Sequence, residues 1–274
     1  MVSNVQNNFP ELGKRSIGAV NWVGLWTLYG RESRRFMKVW AQTLAAPAVT
    51  TILFMVIFSL ALGGNDRMVA GLPYAQFLAP GLIVMAILQN SFANTSSSIL
   101  ISKVQGNIVD TLMPPLSALE LTIGFVGGGV TRGIVVGLSV ATAFVLMPGI
   151  PMQLHHIWPV LYFALAASMM LSLMGVLTGI WAEKFDHSAS ITNFVVAPLS
   201  LLSGTFYSIE RLSDGWQVFS SLNPFFYMID GFRYGFIDRA DSNLMTGVLY
   251  TLGINMVLTL IVFYVFKKGY RLKA

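Results

Sequence analysis

Long stretches without any Lys, Arg, Asp or Glu are the feature of this sequence that most restricts its fold. Four of them cover Ala41–Asn65, Met68–Ser102, Gly133–Ala182 and Ser242–Phe266, and a shorter fifth covers Ser188–Ile209. A helix of about 20 apolar residues crosses the hydrocarbon core of a bilayer. Charged residues form 11% of the chain, against about 25% in an average soluble domain. The chain is therefore predicted to be a membrane protein.

The apolar stretches predict the number of membrane spans. The stretch 133–182 is too long for one span, and Pro148-Gly149-Ile150-Pro151 interrupts it because this sequence cannot continue a helix. The runs are continuous rather than alternating, which favours helices over a β-barrel. We predict an all-α membrane domain over residues 21–274, after an N-terminal cytoplasmic segment over 1–20. Its six spans lie near 41–63, 74–97, 119–147, 157–182, 188–208 and 246–267.

The Lys and Arg residues between these spans predict the orientation. Twelve fall on one side, in the N-terminal segment, two loops and the tail, and they include Lys14, Arg15, Lys184 and Lys273. Four fall on the other side, namely Arg67, Arg211, Arg233 and Arg239. Cytoplasmic loops carry the excess of positive charge, so both termini are expected in the cytoplasm.

The segment Asn21–Trp40 precedes the first span and is amphipathic. At helical spacing one face carries Trp22, Leu25, Trp26, Tyr29, Phe36 and Trp40. The opposite face carries Arg31, Arg34, Arg35 and Lys38. Such a helix lies in the membrane interface, with its cations towards lipid phosphate. It serves either as a simple anchor or also as a brace for a cytoplasmic partner.

The loop Ile101–Glu120 is long for a connection inside a helical bundle. Apolar residues recur in it at helical spacing, at Val104, Ile108, Val109 and Leu112, and Pro114-Pro115 follows them. Polar groups surround them, at Lys103, Gln105, Asn107 and Asp110. A short cytoplasmic helix of this kind suits docking into a groove on a soluble protein. A loop that lies on the membrane surface is the alternative.

The third predicted span contains both a glycine pattern and a charge. Gly124, Gly128, Gly129, Gly133 and Gly137 give repeated small-xxx-small spacings, which let helices approach closely. Arg132 lies inside the same span. An intramembrane charge is costly and is a candidate functional residue, but no acidic residue lies well inside another span to pair with it. Its role stays open between structure and function.

The segment Ile209–Asp241 is rich in aromatic residues although it should lie outside. Its longest uncharged run, Gly215–Ile229, is too short to cross a bilayer, and Asn223-Pro224 breaks it. This pattern predicts two short helices that enter the outer leaflet and return, shielded by protein or lining a cavity. An external loop with an aromatic belt is the alternative.

Several absences exclude function classes. The sequence has no G-x-x-x-x-G-K-[ST] phosphate loop and no H-E-x-x-H or G-x-S-x-G motif, and it has no cysteine. We therefore expect no catalytic, cofactor or metal site on this chain. The spans hold almost no carboxylates, which disfavours a proton relay. Energy for uphill transport should come from another polypeptide.

Particular segments resemble a known family. The stretch from Pro198 to Ser208, followed by Leu222-Asn223-Pro224 and Gly231-Phe232-Arg233-Tyr234-Gly235, is similar to the signature of ABC-2 type permeases, the membrane subunits of type V ABC exporters. The resemblance runs from about residue 20 to the end. Within the family, the segments 35–44 and 127–133 resemble the YadH-type bacterial inner-membrane permeases.

This resemblance implies a homodimer in the bacterial inner membrane, with two ATP-binding cassette subunits that hold ATP and magnesium, and no nucleic acid. It implies export of an amphipathic substrate, such as a lipid, a lipid-linked glycan or a drug-like molecule. An ion-coupled carrier and a non-transporting scaffold are the alternatives. The family's coupling helix, which docks onto the ATP-binding subunit, would correspond to Lys103, Val104, Gln105, Asn107, Ile108, Asp110 and Thr111.

The resemblance also assigns residues to the membrane part. The connecting helix would include Arg31, Arg34, Arg35 and Lys38. The re-entrant signature would include Gly204, Phe206, Asn223, Pro224, Arg233 and Tyr234. The path would lie at the dimer interface, along the first, second and fifth spans, with candidate lining residues Phe54, Phe58, Gln89, Asn90, Asn94, Phe194, Ser203 and Tyr207.

Overall fold

The computed structural model of the chain describes residues 18–63, 68–69, 71–147, 150, 152–209 and 212–271. Lys14, Arg15, Arg67, Arg211 and Lys273, which entered the orientation argument, lie outside the described residues, as does most of the predicted segment 1–20. The described residues are mostly helical, which confirms the all-α prediction. The β-structure among them is a two-stranded antiparallel ribbon of β1 (Met68–Val69) and β2 (Leu72–Pro73), with Val69 opposite Leu72.

Eleven α-helices follow one another along the described part of the chain. They are α1 (Trp22–Met37), α2 (Ala46–Phe58), α3 (Tyr74–Val104), α4 (Ile108–Leu112), α5 (Ala118–Leu146), α6 (Ile157–Trp181), α7 (Phe185–Ile191), α8 (Ala197–Leu201), α9 (Asp214–Leu222), α10 (Pro224–Ile237) and α11 (Leu244–Lys268). Wider π-helical turns at Ala41–Ala45 and Ser59–Gly63 extend α2 at both ends. A third π-helical turn, Thr192–Val196, joins α7 to α8.

Among the described residues, five helices are long and apolar enough to cross a membrane. They are Ala41–Ala61, Tyr74–Val104, Ala118–Leu146, Ile157–Trp181 and Leu244–Lys268. The break predicted at Pro148–Pro151 is confirmed, because α5 ends at Leu146 and α6 begins at Ile157. These helices match five of the six predicted spans.

The predicted fifth span, 188–208, is shorter than expected. Helical structure in this region runs from Phe185 to Leu201 and then stops. The hydroxyls of Ser203 and Thr205 both donate to the backbone oxygen of Ser200, and Gly204 has a positive φ of 73°. This hydrogen-bonded turn ends the helix, so the count of six spans stays a prediction.

The helices α3 and α6 form the centre of the bundle. Both are largely buried, whereas α2 and α11 are mostly exposed on the outside. The glycines of α5 allow the close approach that the sequence predicts: a Cβ on Gly133 would lie 1.9 Å from the hydroxyl of Ser91 on α3. A Cβ on Gly124 would lie 2.5 Å from a methyl of Leu28 on α1. The bundle therefore holds α1 and α3 directly against the α5 backbone.

The loop after α3 differs from the single short helix predicted around Val104–Thr111. Val104 is the last residue of α3, and α4 begins only at Ile108. The reason is Gly106, whose φ of +77° suits glycine and interrupts the helix. The end before Pro114-Pro115 is confirmed, since α4 stops at Leu112.

The aromatic segment after α8 forms two short helices, as predicted. Asn223 separates α9 from α10: its side-chain oxygen accepts from the backbone N–H of Phe225, and its Nδ2 donates to the Leu199 carbonyl. Pro224 is the first residue of α10, where its missing N–H costs nothing. Most of α10 is buried against α3, α6 and α11. Whether this pair enters the membrane stays a prediction.

Candidate coupling and translocation site

A buried carboxylate, Glu32, lies at the centre of the lead helix α1. Its side chain is fully buried because α5 presents Gly128 there, where a Cβ would lie 2.4 Å from the Glu32 Cβ. Arg31 Nη2 donates to Glu32 Oε1 at 3.0 Å, and Arg35 Nε lies 3.5 Å from Glu32 Oε2. A buried charge needs such partners to be tolerated. The three residues thus form one ion cluster, Arg31–Glu32–Arg35.

Arg31 also connects α1 to the loop helix α4. Its Nη1 donates to the hydroxyl of Thr111 at 2.7 Å. Thr111 and Ile108 are the buried residues of α4. A single guanidinium therefore joins the buried acid of α1 to the helix that is predicted to dock onto a partner.

Arg35 extends the ion cluster in the other direction, to α3. Its Nη2 donates to both the backbone and the side-chain oxygen of Asn94, at 2.6 and 3.0 Å, and its Nη1 donates to the hydroxyl of Ser97. Burial lowers the pKa of the Arg35 guanidinium from its ordinary value, while the Glu32 carboxylate acts to raise it. Asn94 is fully buried, so in the single chain it anchors Arg35 rather than lining an open cavity.

The lead helix is amphipathic, but its faces differ from the prediction. Trp22 and Trp26 are 71% and 73% exposed, as expected of residues in contact with lipid. Phe36, placed on the same face by the sequence pattern, is buried in the protein. The basic face is not uniformly turned to solvent, since Arg31 and Arg35 bind protein groups. All four cations line a crevice of about 580 Å³ beside α3, namely Arg31, Arg34, Arg35 and Lys38.

The predicted docking residues separate into inward and outward groups. Lys103 points inward: its ammonium donates to the Ile180 and Ala182 carbonyls at 2.6 and 2.7 Å, at the end of α6. Ile108 and Thr111 are buried. The outward group consists of Val104, Gln105, Asn107 and Asp110, together with Val109 and Met113. Only the outward group is available to a partner in this arrangement.

A groove opens between α2 and α3 on the exposed side of the bundle. Its volume is about 280 Å³, and amide and hydroxyl groups from Gln42, Thr50, Gln89 and Asn90 line it, with Phe54 and Met85 as apolar walls. Three of the predicted pathway residues, Phe54, Gln89 and Asn90, therefore come together here.

The other predicted pathway residues lie elsewhere. Phe58 is on the same helix as Phe54, and its ring packs on Phe206 with centroids 4.4 Å apart. Tyr207 is half-buried nearby, Ser203 is buried in its turn, and Phe194 is 81% exposed on the bundle surface. Of these residues Phe58 contacts the groove residue Phe54, with ring centroids 6.2 Å apart, and the others lie away from the groove.

Arg132 lies next to the groove, on α5. Its Nη2 donates to the side-chain oxygen of Asn90 at 3.2 Å, and Asn90 in turn donates to the Ala86 carbonyl of its own helix. The Nε of Arg132 is buried without a hydrogen-bond partner among the described residues. The partner of this intramembrane charge is thus an amide, not an acid.

Charged residues also close the end of the bundle around α10. Asp230 accepts from the backbone N–H groups of Asp241 and Ser242 and from the Ser242 hydroxyl, while Asp241 accepts from Ser208 and Ile209.

Arg233 lies close by and is buried. Its Nη2 donates to the Gly204 carbonyl at 2.6 Å, and its guanidinium lies 3.9 Å from the centre of the Phe77 ring. The signature residues Gly204 and Arg233 therefore contact each other, while Tyr234 stacks on His156. This end is tied together by side-chain-to-backbone bonds.

Comparison with known proteins decides the family. The family model of the ABC-2 type transporter matches residues 23–237. The chain belongs to the ABC-2 type transporter family. It is similar to the inner membrane transport permease YadH of Escherichia coli K12, with 38% identity over 89% of this chain and 92% of the relative. It is also similar to nodulation protein J of Sinorhizobium fredii, with 23% identity over 80% of this chain and 82% of the relative.

The ABC-2 family membership and the five long apolar helices make this chain a multi-pass transport permease of the inner-membrane type. Sequence reasoning missed two acids of this permease. Glu32 is the one acidic residue between Asn21 and Trp40, adjacent to Arg31 and three residues before Arg35, and that spacing was the available signal. Asp230 is likewise a single acid within an aromatic helix.

Proposed function

We propose that this permease is the membrane subunit of an ATP-driven exporter. Two copies would pair with two ATP-binding cassette subunits, which hold ATP and magnesium, and would move an amphipathic molecule out across the inner membrane. The supporting observation is the bond between Arg31 of α1 and Thr111 of α4. It fixes the predicted docking helix onto the membrane bundle, so that a force applied to α4 is transmitted to α1 and α3.

The partner would bind to the outward surface next to α4. This surface combines apolar Val109 and Met113 with polar Gln105, Asn107 and Asp110. Such a mixture of apolar anchors and polar groups is typical of helix-in-groove recognition. Lys103 would instead support the surface from behind by binding the end of α6.

Two copies would meet along the exposed α2 and along α7 to α8. The groove between α2 and α3 would then face the partner copy, and its amides and Phe54 suit a molecule with both polar and apolar parts. In this topology Phe185–Leu201 forms the fifth of six spans, α9 and α10 re-enter from outside, and both termini are cytoplasmic. The membrane domain then extends over residues 21–274.

Reconstitution tests this function. The full-length permease is purified with the ATP-binding subunit of its own transporter and placed in proteoliposomes that contain tail-labelled fluorescent lipid. We expect movement of the label that requires ATP and stops with a hydrolysis-deficient ATP-binding subunit. Movement that follows a proton or sodium gradient without ATP would contradict the proposal, as would a permease that binds no ATP-binding subunit.

A further inference from the structure

Arg132 is a charged residue in the middle of a long apolar helix. It is midway along α5, which spans Ala118–Leu146. At 1.5 Å per residue each end of the helix is about 20 Å away, much farther than an arginine side chain extends. A charge within an apolar membrane helix is costly and needs partners inside the protein.

The protein compensates this charge only in part. A guanidinium has five N–H donors, and among the described residues one of its nitrogens has a hydrogen-bond acceptor, the side-chain oxygen of Asn90. The Nε is buried without a partner. Arg35, a charge of the same sign, repels Arg132 rather than compensating it. An anion bound next to Arg132 would compensate its positive charge.

Arg132 is connected to the groove through Asn90, although it is not itself one of the lining residues. Asn90, which accepts from Arg132, is itself part of the groove wall. The guanidinium therefore lies directly behind that wall. Gln42, Gln89 and Thr50 add donors that suit oxygen atoms, and Phe54 adds an apolar wall for a hydrocarbon chain.

We propose that Arg132, positioned by Asn90, binds the anionic oxygens of a phosphate or carboxylate on the amphipathic molecule that this permease moves. The inference rests on the proposed transport function and specifies its substrate class as an anionic amphiphile. The groove between α2 and α3 is the route by which such an anion would reach the Asn90–Arg132 pair.

Native mass spectrometry of the full-length permease tests this site. The protein in a neutral maltoside detergent is titrated with phosphatidic acid or with phosphatidylcholine of identical acyl chains, and apparent Kd values are compared. We expect wild type to prefer phosphatidic acid. Arg132→Gln should weaken phosphatidic acid binding by about tenfold or more, the value of one hydrogen bond to a charged group. Arg132→Lys should lose less, because it keeps the charge but not the planar fork.

Asn90→Asp separates binding from structure. The new carboxylate keeps the hydrogen bond from Arg132 and cancels its charge, and this ion pair offsets the lost amide donor to the Ala86 carbonyl. A purely structural Arg132 would therefore tolerate the change. We expect this variant to keep its thermal stability and to lose the preference for phosphatidic acid. Arg271→Gln, a change of one exposed cytoplasmic arginine, is the matched control and should bind as wild type does.

Three results would overturn the site. The first is a wild type without preference for phosphatidic acid. The second is an Asn90→Asp variant that keeps the preference. The third is loss of the preference in Arg34→Gln but not in Arg132→Gln, which would move the anion to the crevice beside α1. None of these results bears on whether ATP drives the permease, so the proposed function is judged separately by the reconstitution.

Discussion

Arg31 and Thr111 are 80 positions apart in the sequence, yet Nη1 of Arg31 donates to the Thr111 hydroxyl at 2.7 Å. Through Arg31 the hydroxyl is linked to the buried Glu32, and through Arg35 the same cluster reaches Asn94 on α3. A continuous set of polar contacts thus runs from the loop helix to the centre of the bundle. The predictions below test this set and the packing around it.

Thr111→Val removes the hydroxyl that Arg31 binds and keeps the side-chain volume. We expect the free energy of unfolding to fall by about 1 kcal/mol, because Arg31 is partly exposed, and we expect less lipid to be moved per ATP hydrolysed. Transport and hydrolysis measured in the same proteoliposomes give this ratio. Thr142→Val, whose hydroxyl bonds only to its own helix, is the control. Equal ratios in the two variants would show that the Arg31–Thr111 bond carries no coupling.

Glu32→Gln removes the acid between two arginines. Removing the buried acid leaves two partly exposed arginines without their common partner, which costs about 1 to 3 kcal/mol of the free energy of unfolding. The thermal unfolding temperature of the purified permease in detergent should fall strongly. The control is Glu183→Gln, because Glu183 is exposed and lies 3.9 Å from Arg271, and such surface pairs contribute about 0 to 1 kcal/mol. Similar unfolding temperatures for both variants would refute a central role for Glu32.

Gly128→Ala tests the close approach of α1 to α5. The added methyl would lie 2.4 Å from the Glu32 Cβ, so the helices must separate, at a cost of about 1 to 3 kcal/mol. For Gly253→Ala on α11, no atom of the described residues lies within 4 Å of the added methyl, and the change should stabilise the helix slightly. Differential scanning of the two variants should therefore give shifts of opposite sign. A neutral Gly128→Ala would mean that the two helices are not in contact.

Asp230→Asn tests the closure around α10. The carboxylate accepts three hydrogen bonds from Asp241 and Ser242, and both of its oxygens take part. The amide of Asn cannot replace it, because one of those oxygens becomes a nitrogen that only donates. We expect the free energy of unfolding to fall by about 2 to 3 kcal/mol, and we expect faster hydrogen exchange in residues 238–242. Asp214→Asn, in the exposed first turn of α9, should change neither property. Unchanged exchange in Asp230→Asn would contradict the role given to this carboxylate.

The sequence predicts the helices of this fold better than their contacts. Apolar runs and Pro148–Pro151 place α5 and α6 correctly, since hydropathy and helix interruption are local properties. The partners are not local. Lys103 resembles a docking charge in the sequence, yet it reaches the end of α6, 77 residues away, at Ile180. Arg132 finds an amide instead of an acid, and no periodicity identifies Asn90 as its partner.

The ends of helices and the burial of charges are also difficult to predict from the sequence. The resemblance identified Gly204 as part of a signature, but not that it ends a helix there with a positive φ. Burial of Glu32 follows from the missing side chain at Gly128 on another helix. The four-residue spacing from Leu28 to Glu32 to Phe36 places the acid on the buried stripe of α1, but not against a particular partner helix. Tertiary packing therefore decides which charged residues become functional candidates.

Crosslinking from the loop helix tests the central claim most directly. The chain has no cysteine, so single-cysteine variants report without background. Val109 on α4 and Val145 near the far end of α5 are both exposed, at 51% and 66%. We predict that Val109→Cys crosslinks to the ATP-binding subunit in the assembled transporter and that Val145→Cys does not. A Val109→Cys variant that assembles without crosslinking, or a crosslink from Val145→Cys, would contradict the account.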